Sequence, residues 1–121
     1  MTTSIESKLL DDWEDVFKQG LLTFWTLTSL KGTTMTVSEL SKEIARLTRG
    51  SYKPADQTLY RVLRKYNELN LVEFNEIMNS NGPKKKLYSL TDFGNKMLTD
   101  FAKRNIELFQ IDKIKRIIEG N

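Results

Sequence analysis

The apolar positions of the chain follow two periodicities, and the change between them divides the molecule. Ile5, Leu9, Trp13, Val16 and Phe17 recur at helical spacing, so residues 5–18 are predicted to form an amphipathic helix that Gly20 interrupts. Leu21 to Lys31, LLTFWTLTSLK, is apolar nearly all round, which predicts a buried helix ended by Gly32. Thr33–Met35 has room for one small strand. Thr36-Val37-Ser38-Glu39 reads as a capping box, with Thr36 as N-cap and Glu39 reaching back. Leu40, Ile44 and Leu47 continue that helix and Gly50 closes it. Pro54 is disfavoured inside a helix, so the next one starts near Ala55 or Asp56.

This next helix has two distinct sides. At about 100° per residue, Leu59, Val62, Leu63, Tyr66 and Leu69 fall within about 60° of one direction. The opposite side carries Gln57, Arg61, Arg64 and Glu68, flanked by Tyr60 and Lys65. After Asn70 the period changes to two. Leu71–Ile77 alternates for most of its length, Asn79–Pro83 is dense in turn formers, and Lys84–Leu90 is a second strand, so the pair makes a hairpin. Thr91 caps a last helix with Asp92 in its first turn. Phe93, Met97, Leu98, Phe101 and Leu108 form its apolar stripe, continued by Ile111, Ile114 and Ile118.

The predicted order is helix, small strand, helix, helix, two-stranded hairpin, helix. That is a mainly α (α+β) winged helix-turn-helix, in which the second helix of the pair enters the DNA major groove and the hairpin lies alongside. Residues 1–121 are read as a single domain, with residues 20–91 as the winged core and residues 1–19 and 92–121 as helical dimerisation elements. The stripe of Met97, Phe101, Leu108 and Ile111 extends past what a three-helix core would cover. An uncovered apolar stripe marks an interface, and Trp13 and Phe17 on the first helix are assigned to the same one.

Composition narrows the function classes. The chain has 121 residues, 39% hydrophobic and 29% charged, a soluble globular profile with room for one modest core. No apolar run approaches the roughly 20 residues of a membrane span, and the acidic start MTTSIESKLLDDWED lacks a signal pattern. With no Cys and no His, thiol chemistry, disulfides and the usual nitrogen and sulfur metal ligands are excluded. A cytoplasmic protein without metal or cofactor is expected. An enzyme would be left with Asp, Glu, Lys, Tyr or Ser chemistry, and no cleft motif frames any of these. Asp11–Asp12 is assigned to the surface. Trp13, Phe24, Trp25 and Tyr66 are assigned to the core in preference to an aromatic ligand box.

The net charge of +3 matters less than its distribution. Met1–Gln19 carries five acidic and two basic residues. Lys42–Tyr66 carries seven basic residues (Lys42, Arg46, Arg49, Lys53, Arg61, Arg64, Lys65) against Glu43 and Asp56. Asn67–Pro83 turns acidic again, and Lys84, Lys85 and Lys86 follow in a row. If folding joins the two basic stretches, they form one patch suited to a polyanion. Arg can bind guanine bidentately and Gln adenine, so Gln57, Arg61 and Arg64, one turn apart, suit base edges. Thr58, Tyr60 and Lys65 on the flanks suit phosphate, and Tyr52 and Lys53 just before the helix can also reach the backbone. Thr36 and Ser38, at the start of the first helix of the pair, complete the set of DNA-binding candidates. Lys84, Lys85 and Lys86 suit phosphates or the minor groove. Strand alternation puts Lys84 and Lys86 on one face and Lys85 on the other, so the three are not expected to act together. Plainer readings exist for both features: a solvated helix side with an Arg64–Glu68 pair, and a charged tip that keeps an edge strand soluble. A rival function is a winged helix used as a protein-interaction module in a larger assembly, which need not gather Lys and Arg on helix and wing.

The segments PADQTLYRVL (from Pro54), LNLVEF and GPKKKLYSLT, followed by Gly94, resemble the PadR-type transcriptional regulators. These show a Pro-x-x-x-Thr-Leu-Tyr-x-x-Leu helix and a Tyr-Ser-Leu-Thr-x-x-Gly exit from the wing. The resemblance spans about Leu21 to Phe101. Two departures stand out: Val37-Ser38-Glu39-Leu40 replaces a common His-Gly-Tyr-Glu-Ile, and Arg61 replaces a common Pro, adding a donor. The resemblance implies a transcriptional repressor that binds double-stranded DNA as a homodimer held by its N-terminal and C-terminal helices. In some members it also implies induction by small aromatic molecules held at the dimer interface. Here the last helix carries Phe101 and Phe109 and no Trp.

Overall fold

A computed structural model describes residues 4–78 and 81–120. The elements run α1 (Ser4–Gly20), α2 (Leu22–Leu30), α3 (Val37–Leu47), α4 (Asp56–Glu68), β1 (Val72–Ile77), β2 (Lys85–Leu90), α5 (Asp92–Phe101) and α6 (Asp112–Glu119). A π-helical turn (Ala102–Ile106) and a 3-10 turn (Glu107–Gln110) lie between α5 and α6. The expected winged helix-turn-helix order is present.

Leu30, Leu40, Ile44, Leu59, Leu63 and Val72 are all at most 1% exposed, so α2, α3, α4 and the base of the hairpin share one core. Burying α2 also buries hydroxyls: those of Thr26 and Ser29 find partners on their own helix, whereas Thr28 Oγ1 has none among the described residues. Thr26 Oγ1 donates to Leu22 O at 2.7 Å and Ser29 Oγ to Trp25 O at 2.8 Å. Across the core, Thr23 Oγ1 lies 2.6 Å from the phenol oxygen of Tyr66. Burial pushes the Tyr66 phenol above its ordinary value.

The capping box forms as expected. The Glu39 amide donates to Thr36 Oγ1 at 3.3 Å, and the Thr36 amide donates to Glu39 Oε1 at 3.0 Å. Hydrogen bonding to the carboxyl by Thr36, first from its amide and then from its hydroxyl, holds Glu39 below its ordinary value, with Lys85 and Lys42 adding to the effect. The ionised form is therefore the one that stabilises the fold. Its contribution is complete above the ordinary Glu value and is lost as pH falls through the lowered one. Thr36→Ala is expected to cost about 1 kcal/mol in urea unfolding at neutral pH, with the difference from wild type shrinking in acid. Identical urea midpoints at neutral pH would show that the box contributes nothing.

Between α3 and α4 the chain reverses through Arg49 (φ 54°) and Gly50 (φ 80°). Ser41, buried on α3, donates to Pro54 O at 2.7 Å, which fixes where α4 begins. The wing is antiparallel, from Val72 opposite Leu90 to Ile77 opposite Lys85. The small strand expected over Thr33–Met35 is reduced to one bridge, with Met35 and Tyr88 exchanging backbone bonds of 2.8 and 3.0 Å. Of the expected wing turn, Asn79 and Ser80 lie outside the described residues.

The base of the wing is clamped to α5. Thr91 caps α5 by accepting from the Gly94 amide at 2.9 Å, and its hydroxyl also lies 2.6 Å from Asn70 O and 3.2 Å from Leu71 O. Gly94 is buried directly on the Leu71 carbonyl: a Cβ there would sit 1.9 Å from the oxygen and 2.9 Å from the carbon.

Three of the expected placements are corrected. The last helix is not continuous, because the π turn shifts the register and Ile111 is extended (ψ 150°) before α6 restarts. The stripe itself lapses there: Arg104 and Asn105 occupy the positions one turn after Phe101. Trp13 is not core. It is 71% exposed on α1, a helix with no buried residue, while Trp25 and Phe24 are half-buried and Tyr66 is buried. Leu69, counted on the apolar side of α4, is 53% exposed because it is the C-cap and has left the helix register. The Arg64–Glu68 ion pair of the plainer reading does not occur among the described residues.

Candidate nucleic-acid interface

Buried Leu59, Leu63 and Tyr66 turn α4 so that Gln57, Arg61, Arg64, Lys65 and Glu68 stand exposed on its outer side. Among the described residues, Arg61, Arg64 and Lys65 form no ion pair with an acidic side chain. Unpaired cations keep their full field for an external anion.

The wing meets this helix at Tyr60. A cleft of about 330 Å³ is lined by Thr36 and Ser38 at the start of α3, by Tyr60, and by Pro83, Lys84, Lys85 and Lys86. A second cleft of about 310 Å³ is lined by Tyr60, Leu63, Arg64 and Asn67 from α4 and by Phe74, Lys86 and Tyr88 from the wing. Tyr60 and Lys86 are common to both, so the two clefts are neighbouring parts of one surface. The basic stretch of α4 and the triple lysine, separate in sequence, are thereby joined.

All three lysines line the first cleft, against the expected split. β2 starts only at Lys85, so Lys84 belongs to the turn and escapes strand alternation, while Lys85 and Lys86 both border the cleft although they are consecutive in the strand. Lys86 Nζ sits 4.4 Å from the centre of the Phe74 ring, and the Phe74 and Tyr88 rings are 5.6 Å apart. Lys84 pairs with Glu76 at 3.8 Å, but both are well exposed and such pairs contribute little. Burial pushes the Tyr88 phenol up; Tyr60 adds to this and Arg64 opposes it. Sequence reasoning missed Asn67 and Phe74. Asn67 Nδ2 donates to Val72 O at 3.1 Å and ties α4 to the first residue of the wing. The available signal was its position three residues after Arg64.

Other candidates fall outside these clefts. Gln57, Arg61 and Lys65 are exposed on α4 and Thr58 is half-buried. Lys53 is exposed in the link before it. Tyr52 turns the other way, into a groove shared with Glu14, Phe17, Trp25 and Arg49, and burial raises its phenol. Of the residues assigned to dimerisation, Met97 and Phe101 line an apolar groove of about 760 Å³ together with Phe24, Leu27, Leu71 and Phe93. Trp13, Leu108 and Ile111 are 71%, 59% and 51% exposed outside it. No group of acidic residues that could hold a metal ion occurs among the described residues, and no described helix is long and apolar enough to cross a membrane.

Comparison with known proteins fits this geometry. The PadR-like transcriptional regulator family matches over residues 26–100. No curated protein matches the sequence. Solved structures do. A PadR-family transcriptional regulator from Eggerthella lenta is 19% identical, with a TM-score of 0.75, and the match covers 98% of this chain and 100% of that one. A PadR-like transcriptional regulator from Bacillus cereus is 21% identical, with a TM-score of 0.67 over 86% of this chain and 97% of that one. Bacillus subtilis PadR, solved in complex with operator DNA, is 20% identical with a TM-score of 0.61; the match covers 67% of this chain but only 46% of the longer PadR chain. With the family matched across the helix pair, the wing and most of α5, this chain belongs to the PadR-like family of transcriptional regulators.

Proposed function

We propose that the chain is a sequence-specific double-stranded DNA-binding repressor that acts as a homodimer on a pseudo-palindromic operator. The observation that carries this reading is the joining of Arg64, Tyr60 and Lys84–Lys86 around two adjacent clefts on one outward surface. In it, α4 enters the major groove, with Gln57, Arg61 and Arg64 at base edges. Thr36, Ser38, Lys53, Thr58, Tyr60, Lys65 and the wing lysines meet phosphates. Tyr52, facing its own groove, reaches the backbone only if its side chain swings out.

Residues 20–91 then form the DNA-binding core, and α1 with the segment after Thr91 forms the dimer contacts. The exposed stripe of α1 and the open groove beside Met97 and Phe101 support self-association. So does charge: α1 carries five acidic residues against Lys8 and Lys18, whereas α6 carries Lys113, Lys115 and Arg116 against Asp112 and Glu119. Two-fold pairing sets the two α4 helices about one DNA turn apart.

Salt titration of binding tests the electrostatic half. With roughly six phosphates neutralised per dimer, the log–log slope is expected near −5, and a slope near zero would remove it. Base readout is tested by single substitutions. Lys85→Ala should weaken binding to operator and random duplexes alike, whereas Arg64→Ala should also relax base preference, at about 1–3 kcal/mol. Equal losses on both duplexes from both variants would refute that division of roles. A protein-interaction module would show no retention of any duplex in a gel shift.

A further inference from the structure

We propose that Asn81–Gly82, in the turn of the wing, is a site of spontaneous deamidation that sets a negative charge beside Lys84–Lys86 and weakens the wing's hold on phosphate. The consequence for DNA rests on the function proposed above; the chemistry does not.

Asn81–Gly82 is the one Asn-Gly pair in the sequence. The reaction needs the backbone nitrogen of the second residue to reach the side-chain carbonyl carbon of the first. Glycine allows this most readily, because it has no Cβ to obstruct the approach or to limit its backbone angles. Asn81, Gly82 and Pro83 are all exposed. The strand ladder ends where Ile77 pairs with Lys85, so neither Asn81 nor Gly82 is held in it. Other asparagines are placed less favourably: Asn67, Asn95 and Asn105 lie in helical segments and Asn75 in β1, each followed by a residue with a side chain.

The step balances without an oxidant or reductant. The Gly82 nitrogen attacks Asn81 Cγ, a C–N bond forms, and the bond to the side-chain nitrogen breaks. Ammonia leaves with the proton lost from Gly82, and a five-membered imide remains. Water opens the imide at either carbonyl and gives aspartate or isoaspartate. The net exchange is NH2 for OH, and the product is ionised at neutral pH. The new carboxylate would stand within a few residues of the lysines that line the cleft with Thr36, Ser38 and Tyr60. Glu76 on β1 already pairs with Lys84, so a carboxylate at position 81 would be a second acid close to the cluster.

The test holds the full chain in warm, mildly alkaline buffer and maps its peptides by mass spectrometry. The expected result is the mass gain of NH2-to-OH exchange at Asn81, arising faster than at Asn67, Asn75 or Asn95 and absent from that position in Asn81→Gln. In parallel, Asn81→Asp supplies the charge at once. It should elute from heparin at lower salt than wild type and bind duplex DNA about tenfold more weakly at low salt, with the deficit fading as salt rises. No gain at Asn81, or an Asn81→Asp protein that elutes from heparin with wild type, would overturn the proposal. Heparin carries no operator, so the mass gain at Asn81 together with earlier elution of Asn81→Asp, beside a wild type that ignores duplex DNA, would uphold the modification and reject the DNA reading.

Discussion

Replacing Gly94 by alanine is expected to lower the thermal unfolding midpoint by roughly 10–15 °C, the shift that about 3 kcal/mol produces in a domain of this size. The added Cβ would meet the Leu71 carbonyl oxygen at 1.9 Å and its carbon at 2.9 Å. The obstacle is backbone, which cannot rotate aside as a side chain does. Relief requires moving α5 away from the start of the wing, and over-packing of this kind costs about 1–3 kcal/mol or more. Leu71 O also receives the Thr91 amide at 3.2 Å, so the same movement loosens the cap of α5. Gly20→Ala is the control. Nothing lies within 4 Å of its added Cβ, and alanine favours helix by under about 1 kcal/mol, so its midpoint should hold or rise slightly. Equal midpoints for the two variants would show that the close approach at Gly94 carries no weight.

The second large effect is on binding. Joint replacement of Lys84, Lys85 and Lys86 by alanine is expected to lower duplex affinity roughly 10²–10³-fold at low salt and to flatten the salt slope from near −5 to about −2 or shallower. The fold should survive. All three side chains are exposed, and the one ion pair they form among the described residues, Lys84–Glu76, is a surface pair of small value. Loss of the Lys86 contact with the Phe74 ring should cost about 0.5–1 kcal/mol at such an exposed site. Circular dichroism and unfolding midpoints separate this small penalty from the binding loss. A triple variant that binds with the wild-type slope would place the phosphate contacts elsewhere on the molecule.

Much of this was legible in the residues. The capping box at Thr36 and Glu39, the break at Gly50, the start of α4 and the pairing of the wing follow from local rules, because each depends on neighbours a few residues apart. The glycine after Tyr88-Ser89-Leu90-Thr91 was legible only as part of a motif; its physical reason, contact with a carbonyl 23 positions earlier, needed the fold. The join between α4 and the wing was anticipated as a consequence of topology, but the part played by Asn67 and Phe74 was not, since neither residue type announces a cross-element contact. The C-terminal helix misled for a different reason. Its apolar residues recur at plausible spacing on either side of residues 102–110, and no Gly or Pro marks the change of helical type between them. Trp13 misled because an apolar stripe looks the same whether it faces its own core or is left open.

That open stripe bears on how the protein responds to its own abundance. A helix of 17 residues with no buried side chain gains little from the rest of its chain, and packing of an apolar face is what supplies most of a helix's stability in a protein. In the proposed dimer, the partner surface that covers Trp13 and its neighbours must therefore supply the ordering of α1 as well as the contact itself. Association and local folding there become one event, so the cost of ordering α1 moves half-assembly to a higher concentration than docking of two preformed surfaces would need.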